Sequence, residues 1–383
     1  MSRISKEVYS DCNRKFSELG YSHEREEDMI TYYKNSRNVV SDLGYSFIGI
    51  YFDLENKTVC KLGDYIGDTI TMDELAAINY VVNRLGWLEP NTSGSDWLVN
   101  IIDCKDIRNK LLRDLKVDIS KINDCGQKLK LVVIQVKGDS SSDIYIKNKI
   151  KTCSEVGIEC EHIALPNDIR FDELSKVIKS ANEDFRVTGL MLQLPLPQHL
   201  KKYEQELLNM IDWKKDVDGL TTKNIGRLWD NKECIVPATA KGVLKVLQDF
   251  ELSGGDICII GRSKLVGKPL MALLERANAT VTLCHSKTKD IKTKIASSDI
   301  VITAIGQPKH WNCGLFNKKI VIDVSINRDE NGKLCGDVNW DDKDNLPQLF
   351  DCIYTPVPRG VGALTTACLC ENVVQCYKLQ YLM

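Results

Sequence analysis

Asp256-Ile-Cys-Ile-Ile-Gly261-Arg-Ser-Lys-Leu-Val-Gly267-Lys-Pro269-Leu-Met-Ala-Leu-Leu-Glu-Arg276 runs through three pieces in a telling order. A short apolar strand, Ile257 to Ile260, enters a turn opened by Gly261, and an apolar helical stretch, Leu270 to Arg276, leaves it. Glycines let backbone N–H groups approach a diphosphate, and a helix start adds unpaired donors and the positive end of its dipole. The spacing is not G-x-G-x-x-G, so glycine count alone leaves two readings open: a dinucleotide turn, or a plain βα turn with Pro269 entering the helix. Arg262 inside the turn, and Cys284-His285-Ser286-Lys287-Thr288 after the next strand, favour the first. That second position meets the ribose in a doubly wound sheet. An acidic residue there selects NAD, whereas Arg262, Ser286 and Lys287 suit a 2′-phosphate, so NADP is expected over NAD.

Outward from this turn, strand and helix alternate in both directions. Downstream, extended segments are expected at Ala279 to Cys284, Asp299 to Ile305 and Lys319 to Val324. Upstream, Lys130 to Val136 reads as strand, Ser142 to Val156 as helix, Ile158 to Leu165 as strand, Phe171 to Ala181 as helix and Val187 to Leu194 as strand. Such alternation predicts α/β architecture, with parallel sheet and crossover helices. Before it, Glu89-Pro-Asn-Thr-Ser-Gly-Ser-Asp96 collects turn formers, as a linker does. Charge changes there too: residues 1–97 carry a net of −6 and the remainder +4. The leading segment reads as a small α+β module. It has a helix from Val8 to Leu19, a hairpin of Ser46 to Phe52 with Thr58 to Leu62, and a helix behind the Thr71/Glu74 capping signature. His23 and the acidic run Glu24 to Asp28 read as solvated charge rather than ligands.

Composition narrows the function classes. The chain has 383 residues, 43% hydrophobic and 27% charged, enough apolar material for more than one core. A net charge of −2 gives no field to gather nucleic acid or anionic lipid, so neither partner is expected. Fifteen cysteines without a C-x-x-C pair, and no secretory leader, point to free thiols in a reducing cytoplasm. The five histidines lie far apart, so no metal is assigned. Apolar runs are strand-length, and no membrane segment is expected.

Tyr145 and Lys149, four apart on an expected helix, share one face. Alone such a pair is usually a surface pair. Short-chain dehydrogenases place a Tyr-x-x-x-Lys after an N-terminal glycine loop, but here the order is reversed. Gln193-Leu-Pro-Leu-Pro197 ends a strand, because proline cannot continue a ladder, and this puts Gln193 at a carboxyl edge where ligands collect. Asp218 in Asp216-Val-Asp-Gly-Leu220 serves either a ligand or an Asx-turn.

Taken in order, eight segments resemble the bifunctional methylenetetrahydrofolate dehydrogenase/methenyltetrahydrofolate cyclohydrolase family. They are Tyr145-x-x-x-Lys149, Gln193-Leu-Pro-Leu-Pro, Lys215-Asp-Val-Asp-Gly, Pro237-x-Thr-x-Lys-Gly, Gly261-Arg-Ser-x-x-Val-Gly-x-Pro, Cys284-His-Ser-x-Thr, Gly336-Asp-Val and Thr355-Pro-Val-Pro-x-Gly-Val-Gly. The resemblance spans Val99 to the C-terminus. It implies a folate-binding catalytic lobe over 98–239 completed by 353–383, a Rossmann-like NADP lobe over 240–352, and an accessory module over 1–97. It also implies a homodimer.

The implied chemistry is oxidation of 5,10-methylenetetrahydrofolate with NADP, then hydrolysis of the methenyl product to 10-formyltetrahydrofolate, a one-carbon supply reaction for purine biosynthesis. By the same resemblance Lys149, Tyr145 and Gln193 are catalytic. Tyr145, Gln193, Asp218, Pro358 and Gly360 bind substrate, and Gly261, Arg262, Ser263, Val266, Gly267, His285, Ser286 and Thr303 bind cofactor. Alanine stands at 238 and 240, Arg359 in place of a common glycine, and Ala363 in place of a common proline. Arg359 adds bulk and charge near the expected cofactor side. Two alternatives remain: a folate-binding regulatory protein without activity, and a dehydrogenase lacking the hydrolase. Retention of Tyr145, Lys149, Gln193 and Asp218 argues against both.

Overall fold

The computed structural model describes residues 22–26, 29–35, 47–53, 58–63, 101–138, 140–341 and 352–382. Two compact units emerge: residues 1–100 with 248–251, and residues 101–247 with 252–383.

Within the first unit, β1 (Ser22–Glu26), β2 (Met29–Asn35), β3 (Phe47–Asp53) and β4 (Thr58–Gly63) form one antiparallel sheet in chain order. The expected hairpin is β3 with β4, Asp53 facing Thr58. The first three residues of the charged run after His23, Glu24 to Glu26, are built into β1, at the sheet's edge. Charged residues on an edge strand discourage pairing with another chain, so charge and strand are compatible there. The helices expected at Val8 to Leu19 and behind Thr71, and the linker at Glu89 to Asp96, lie outside the described residues.

The second unit opens with α1 (Cys104–Asp124), whose N-cap Asp103 accepts from the Lys105 amide at 2.9 Å. Then β5 (Lys130–Val136), α2 (Ser140–Val156), β6 (Glu159–Leu165), α3 (Phe171–Glu183) and β7 (Gly189–Leu192) build a parallel sheet in the order β6-β5-β7. The central strand β5 is buried from Leu131 to Val136, as a strand with crossover helices on its faces requires. Strand β7 is shorter than expected. Its ladder stops where Pro195 and Pro197 have no N–H to give, and the last main-chain bond is Gln193 N to Ile134 O at 2.8 Å. Residues 215–217 add an edge beside it, with Leu190 N donating to Lys215 O at 2.7 Å.

After α4 (Glu204–Asn209), α5 (Thr222–Trp229) and α6 (Ala238–Leu247) comes a second parallel sheet. Its strands are β8 (Asp256–Ile260), β9 (Thr280–Cys284), β10 (Ile300–Thr303), β12 (Ile320–Asp323) and β16 (Ile353–Tyr354), ordered β16-β12-β10-β8-β9. Helices α7 (Gly267–Arg276) and α8 (Ile291–Ala296) cross between its strands. Two short pairs extend its rim: β11 (Trp311–Asn312) with β15 (Val338–Asn339), and β13 (Asn327–Arg328) with β14 (Leu334–Cys335). From β8 the chain goes first to β9 on one side, then to β10 on the other. That reversal opens a crevice at the strands' carboxyl ends. Buried isoleucines and valines of β8, β10 and β12 fill the layer beneath, each worth about 1.5–3 kcal/mol.

The final helix, α9 (Gly362–Tyr381), packs on α1, α2, α6 and β7, so the chain returns to the first sheet after completing the second. Among the described residues no helix is long and apolar enough to cross a membrane.

Candidate active site

Lys149 lies on α2, one turn after Tyr145, and Gln193 follows β7 at its carboxyl end. The lysine Nζ donates to Gln193 Oε1 at 2.7 Å and rests 3.3 Å from the Met191 sulfur. Gln193 is held in turn, its Nε2 donating to the Leu194 carbonyl at 2.6 Å. Burial pushes the Lys149 pKa below that of an ordinary lysine, while the nearby Asp218 carboxylate pulls the other way. Burial likewise pushes Asp218 up to about 6, against the Lys149 charge and with help from Asp216. The amine and the acid are therefore an electrostatically paired lysine and carboxylate, each with its charge disfavoured by burial and favoured by the other. Tyr145, one turn before Lys149 on the same helix, is 48% exposed.

The two aspartates of Asp216-Val-Asp-Gly divide their work. Asp216 is buried, its Oδ2 accepting from Thr221 N at 2.8 Å and Asn224 Nδ2 at 3.0 Å. It fixes the turn, and Asp218 is left to face Lys149.

On the second sheet, strand β8 runs into the glycine turn and α7 starts at Gly267, earlier than the apolar pattern suggests, with Pro269 in its first turn. Gly261 has φ +126°, and a Cβ there would stand 2.3 Å from the Ala304 carbonyl oxygen. A Cβ on Gly267 would stand 1.9 Å from the Gly261 carbonyl oxygen. The turn thus accepts no side chain at either position, which is the demand of a backbone cradle for a diphosphate. Gly267→Ala should therefore forfeit cofactor binding and lower the melting temperature, both readable by thermal shift with and without added cofactor.

Arg262 and Ser263 stand exposed on this turn, and the Ser263 hydroxyl accepts from Val266 N at 3.1 Å. Because Ile260 pairs with Cys284, the loop carrying His285 and Ser286 emerges alongside. His285 Nδ1 accepts from Lys287 N at 3.1 Å, so the neutral ring carries its proton on Nε2. Ser286 and Lys287 are exposed beside Arg262's strand end. The donors and glycines present fit a dinucleotide phosphate.

Thr303 is placed differently from the others. It is fully buried, and its hydroxyl donates to Asp337 at 2.9 Å. That carboxylate also accepts from Ile305 N, Gln307 N, Ser325 Oγ and Asn327 Nδ2, at 2.8 to 3.0 Å. Thr303 and Asp337 therefore shape the loop after β10, which faces the glycine turn. Sequence reading had Asp337 within a motif but gave it no task.

Pro358 and Gly360 lie in the turn that leads into α9. They line a cavity of about 230 Å³ with Asp323, Val324 and Ile326. Between them Arg359 adopts φ +84°, a backbone state natural to glycine, and its guanidinium lies 3.5 Å from Asp103. Its charge is turned toward the N-cap of α1.

A bridge missed by sequence reading links the two sheets' sites. Lys264, in the glycine turn, donates to Gln205 Oε1 at 2.6 Å, and Gln205 Nε2 donates to the Leu220 carbonyl at 3.1 Å, two residues past Asp218. The glycine turn is thereby tied to the chain just after Asp218.

Comparison with known proteins agrees in both halves. Residues 102–218 match the tetrahydrofolate dehydrogenase/cyclohydrolase catalytic domain, and residues 237–381 match the NAD(P)-binding domain of the same family. The Bifunctional protein FolD of Agathobacter rectalis is 38% identical over 284 residues, covering 73% of this chain and 100% of its own. A crystal structure of the bifunctional enzyme FolD from Campylobacter jejuni is 37% identical with a TM-score of 0.68, covering 73% of this chain and 98% of that one. The methylenetetrahydrofolate dehydrogenase-cyclohydrolase of Trypanosoma brucei, solved with NADP cofactor and an inhibitor, is 29% identical with a TM-score of 0.67, covering 73% and 97%. The chain belongs to the tetrahydrofolate dehydrogenase/cyclohydrolase family.

Proposed function

We propose that this chain oxidises 5,10-methylenetetrahydrofolate with NADP and hydrolyses the methenyl product to 10-formyltetrahydrofolate, with Lys149 moving the proton of the second step. The observation that carries this reading is the half-buried Lys149, its amine 2.7 Å from Gln193 and paired in charge with Asp218.

NADP, when bound, supplies the acceptor for the substrate's hydride, and Gly261, Arg262, Ser263, Val266, Gly267, His285 and Ser286 would hold its phosphates and ribose. Thr303 would act through the loop it anchors. The first step needs close placement and exclusion of water more than an acid or base. In the second, water adds to the methenyl carbon and must lose a proton, and a lysine accepts one only when its charge is disfavoured. Burial of Lys149 supplies that condition, and Gln193 aims the amine. Asp218 accepts two hydrogen bonds from the pterin's donor edge, which a carboxylate does well. Tyr145 stacks on the folate, and Pro358 and Gly360 border the bound ligands. The lobes of this reading are 98–239 with 353–383, and 240–352, with 1–97 as an accessory module. We further propose a cytoplasmic homodimer.

The test is formation of methenyltetrahydrofolate followed by absorbance, with either cofactor. NADP should lead by tenfold or more, and a tenfold lead for NAD would overturn the cofactor assignment. Arg262→Ala should raise the KM for NADP about tenfold or more, since a charge-assisted hydrogen bond is worth about 1.5–3 kcal/mol, and leave that for NAD within about twofold.

A further inference from the structure

Asn372 is fully buried on α9, far from any surface that would reward an amide. Its Nδ2 donates to the Val217 carbonyl at 2.8 Å and to the Val236 carbonyl at 2.8 Å, and its Oδ1 accepts from Lys241 Nζ at 3.0 Å. The orientation of the amide is fixed by its partners, because carbonyls only accept and an ammonium only donates. Lys241 is the lysine of Pro237-x-Thr-x-Lys-Gly, a motif the chemistry above leaves without a task. It stands 3.1 Å from Glu371, which also pairs with Lys245 at 3.1 Å.

Val217 carries the peptide bond that leads into Asp218. We infer that Asn372, oriented by Lys241, is a positioning residue that sets where the Asp218 carboxylate stands opposite Lys149 and the pterin. The turn is gripped from both sides. Asn224 holds Asp216 at 3.0 Å and the Trp213 carbonyl at 2.8 Å, while Asn372 holds Val217 from the C-terminal helix. A turn so held has little freedom to let Asp218 swing, and placement errors near one ångström are costly in a site of this kind. The titratable groups coupled to the pair are Asp216 on the turn, and Cys153 on α2 with Cys160 on β6 beside Lys149.

This inference rests on the assignment of Asp218 to substrate binding, and its test keeps the two apart. Asn372→Leu and Lys241→Met are assayed for dehydrogenase activity in the full chain, beside Asp218→Ala and a control, Lys245→Met, which loses a contact to Glu371 but none to the amide. Asn372→Leu should raise the folate KM about tenfold and Lys241→Met about threefold, with kcat and the NADP KM within about twofold of the parent. The acid limb of kcat/KM should also move in both, and Lys245→Met should match the parent. A role in stability alone would lower the melting temperature without that split or shift. If Asn372→Leu does not fold, Lys241→Met decides. Folded variants with parental folate KM and an unmoved limb overturn the inference. A parental folate KM in Asp218→Ala would instead overturn the assignment beneath it.

Discussion

Replacing Lys149 by methionine should cut methenyltetrahydrofolate hydrolysis by at least about a hundredfold while hydride transfer stays measurable, within about tenfold of the parent rate. Methionine nearly matches the length of the lysine stem and packs in the same slot, so the loss falls on the amine alone. The amine's contacts are the Gln193 oxygen at 2.7 Å and the Met191 sulfur at 3.3 Å, neither of which can take its place as a base. Single-turnover measurement of each step separately is the check. Equal survival of both activities would falsify the role given to Lys149.

Asp218→Ala should cost both activities, because the substrate itself is lost. Two charge-assisted hydrogen bonds at about 1.5–3 kcal/mol each predict a fall of about a hundredfold or more in kcat/KM for either step. The pH dependence carries a finer signature. An ordinary carboxylate is ionised well below pH 5, but burial pushes Asp218 up to about 6, so substrate affinity should fail as pH drops through about 6. Lys149 holds that value down, so Lys149→Met should move the dehydrogenase acid limb above 6. The sign for stability is opposite to that for activity. A folded-state pKa raised above the unfolded one means this group's contribution is most favourable below about pH 4 and is lost as pH rises through about 6. Asp218→Asn, which imitates the protonated acid, should therefore melt higher than the parent at pH 8, with the gain gone at pH 4. A limb near pH 4 in the parent would contradict this account.

The two parallel sheets were legible because most of their strands are continuous β-branched runs separated by helical spacing, while strand ends were misjudged and the two-residue β16 was missed. Ends depend on where the last ladder bond falls, as at Gln193, and that is a tertiary fact. The acidic run at Glu24 gave no sign of its strand, because charge says which side meets water, not whether the backbone is extended. The pairing of Lys149 with Gln193 spans 44 residues and follows from no local rule. It came from family resemblance. Asn372 left a faint mark: an amide on the apolar face of a helix, between Cys368 and Cys376 one turn away on either side. A buried polar group must find partners, so such a position always asks what it binds. Asp337 showed only as a member of Gly336-Asp-Val, since the five donors that converge on it, from Thr303 to Asn327, are brought together by the fold alone.

Helix α9 comes after every element it fastens in chain order, and it closes the wall behind both Asp218 and α6. Synthesis from the N-terminus therefore makes both parallel sheets before the helix that braces them. A chain cut between Gly360 and Asn372 would keep every residue given a chemical role above and lose the amide that holds the Val217 carbonyl.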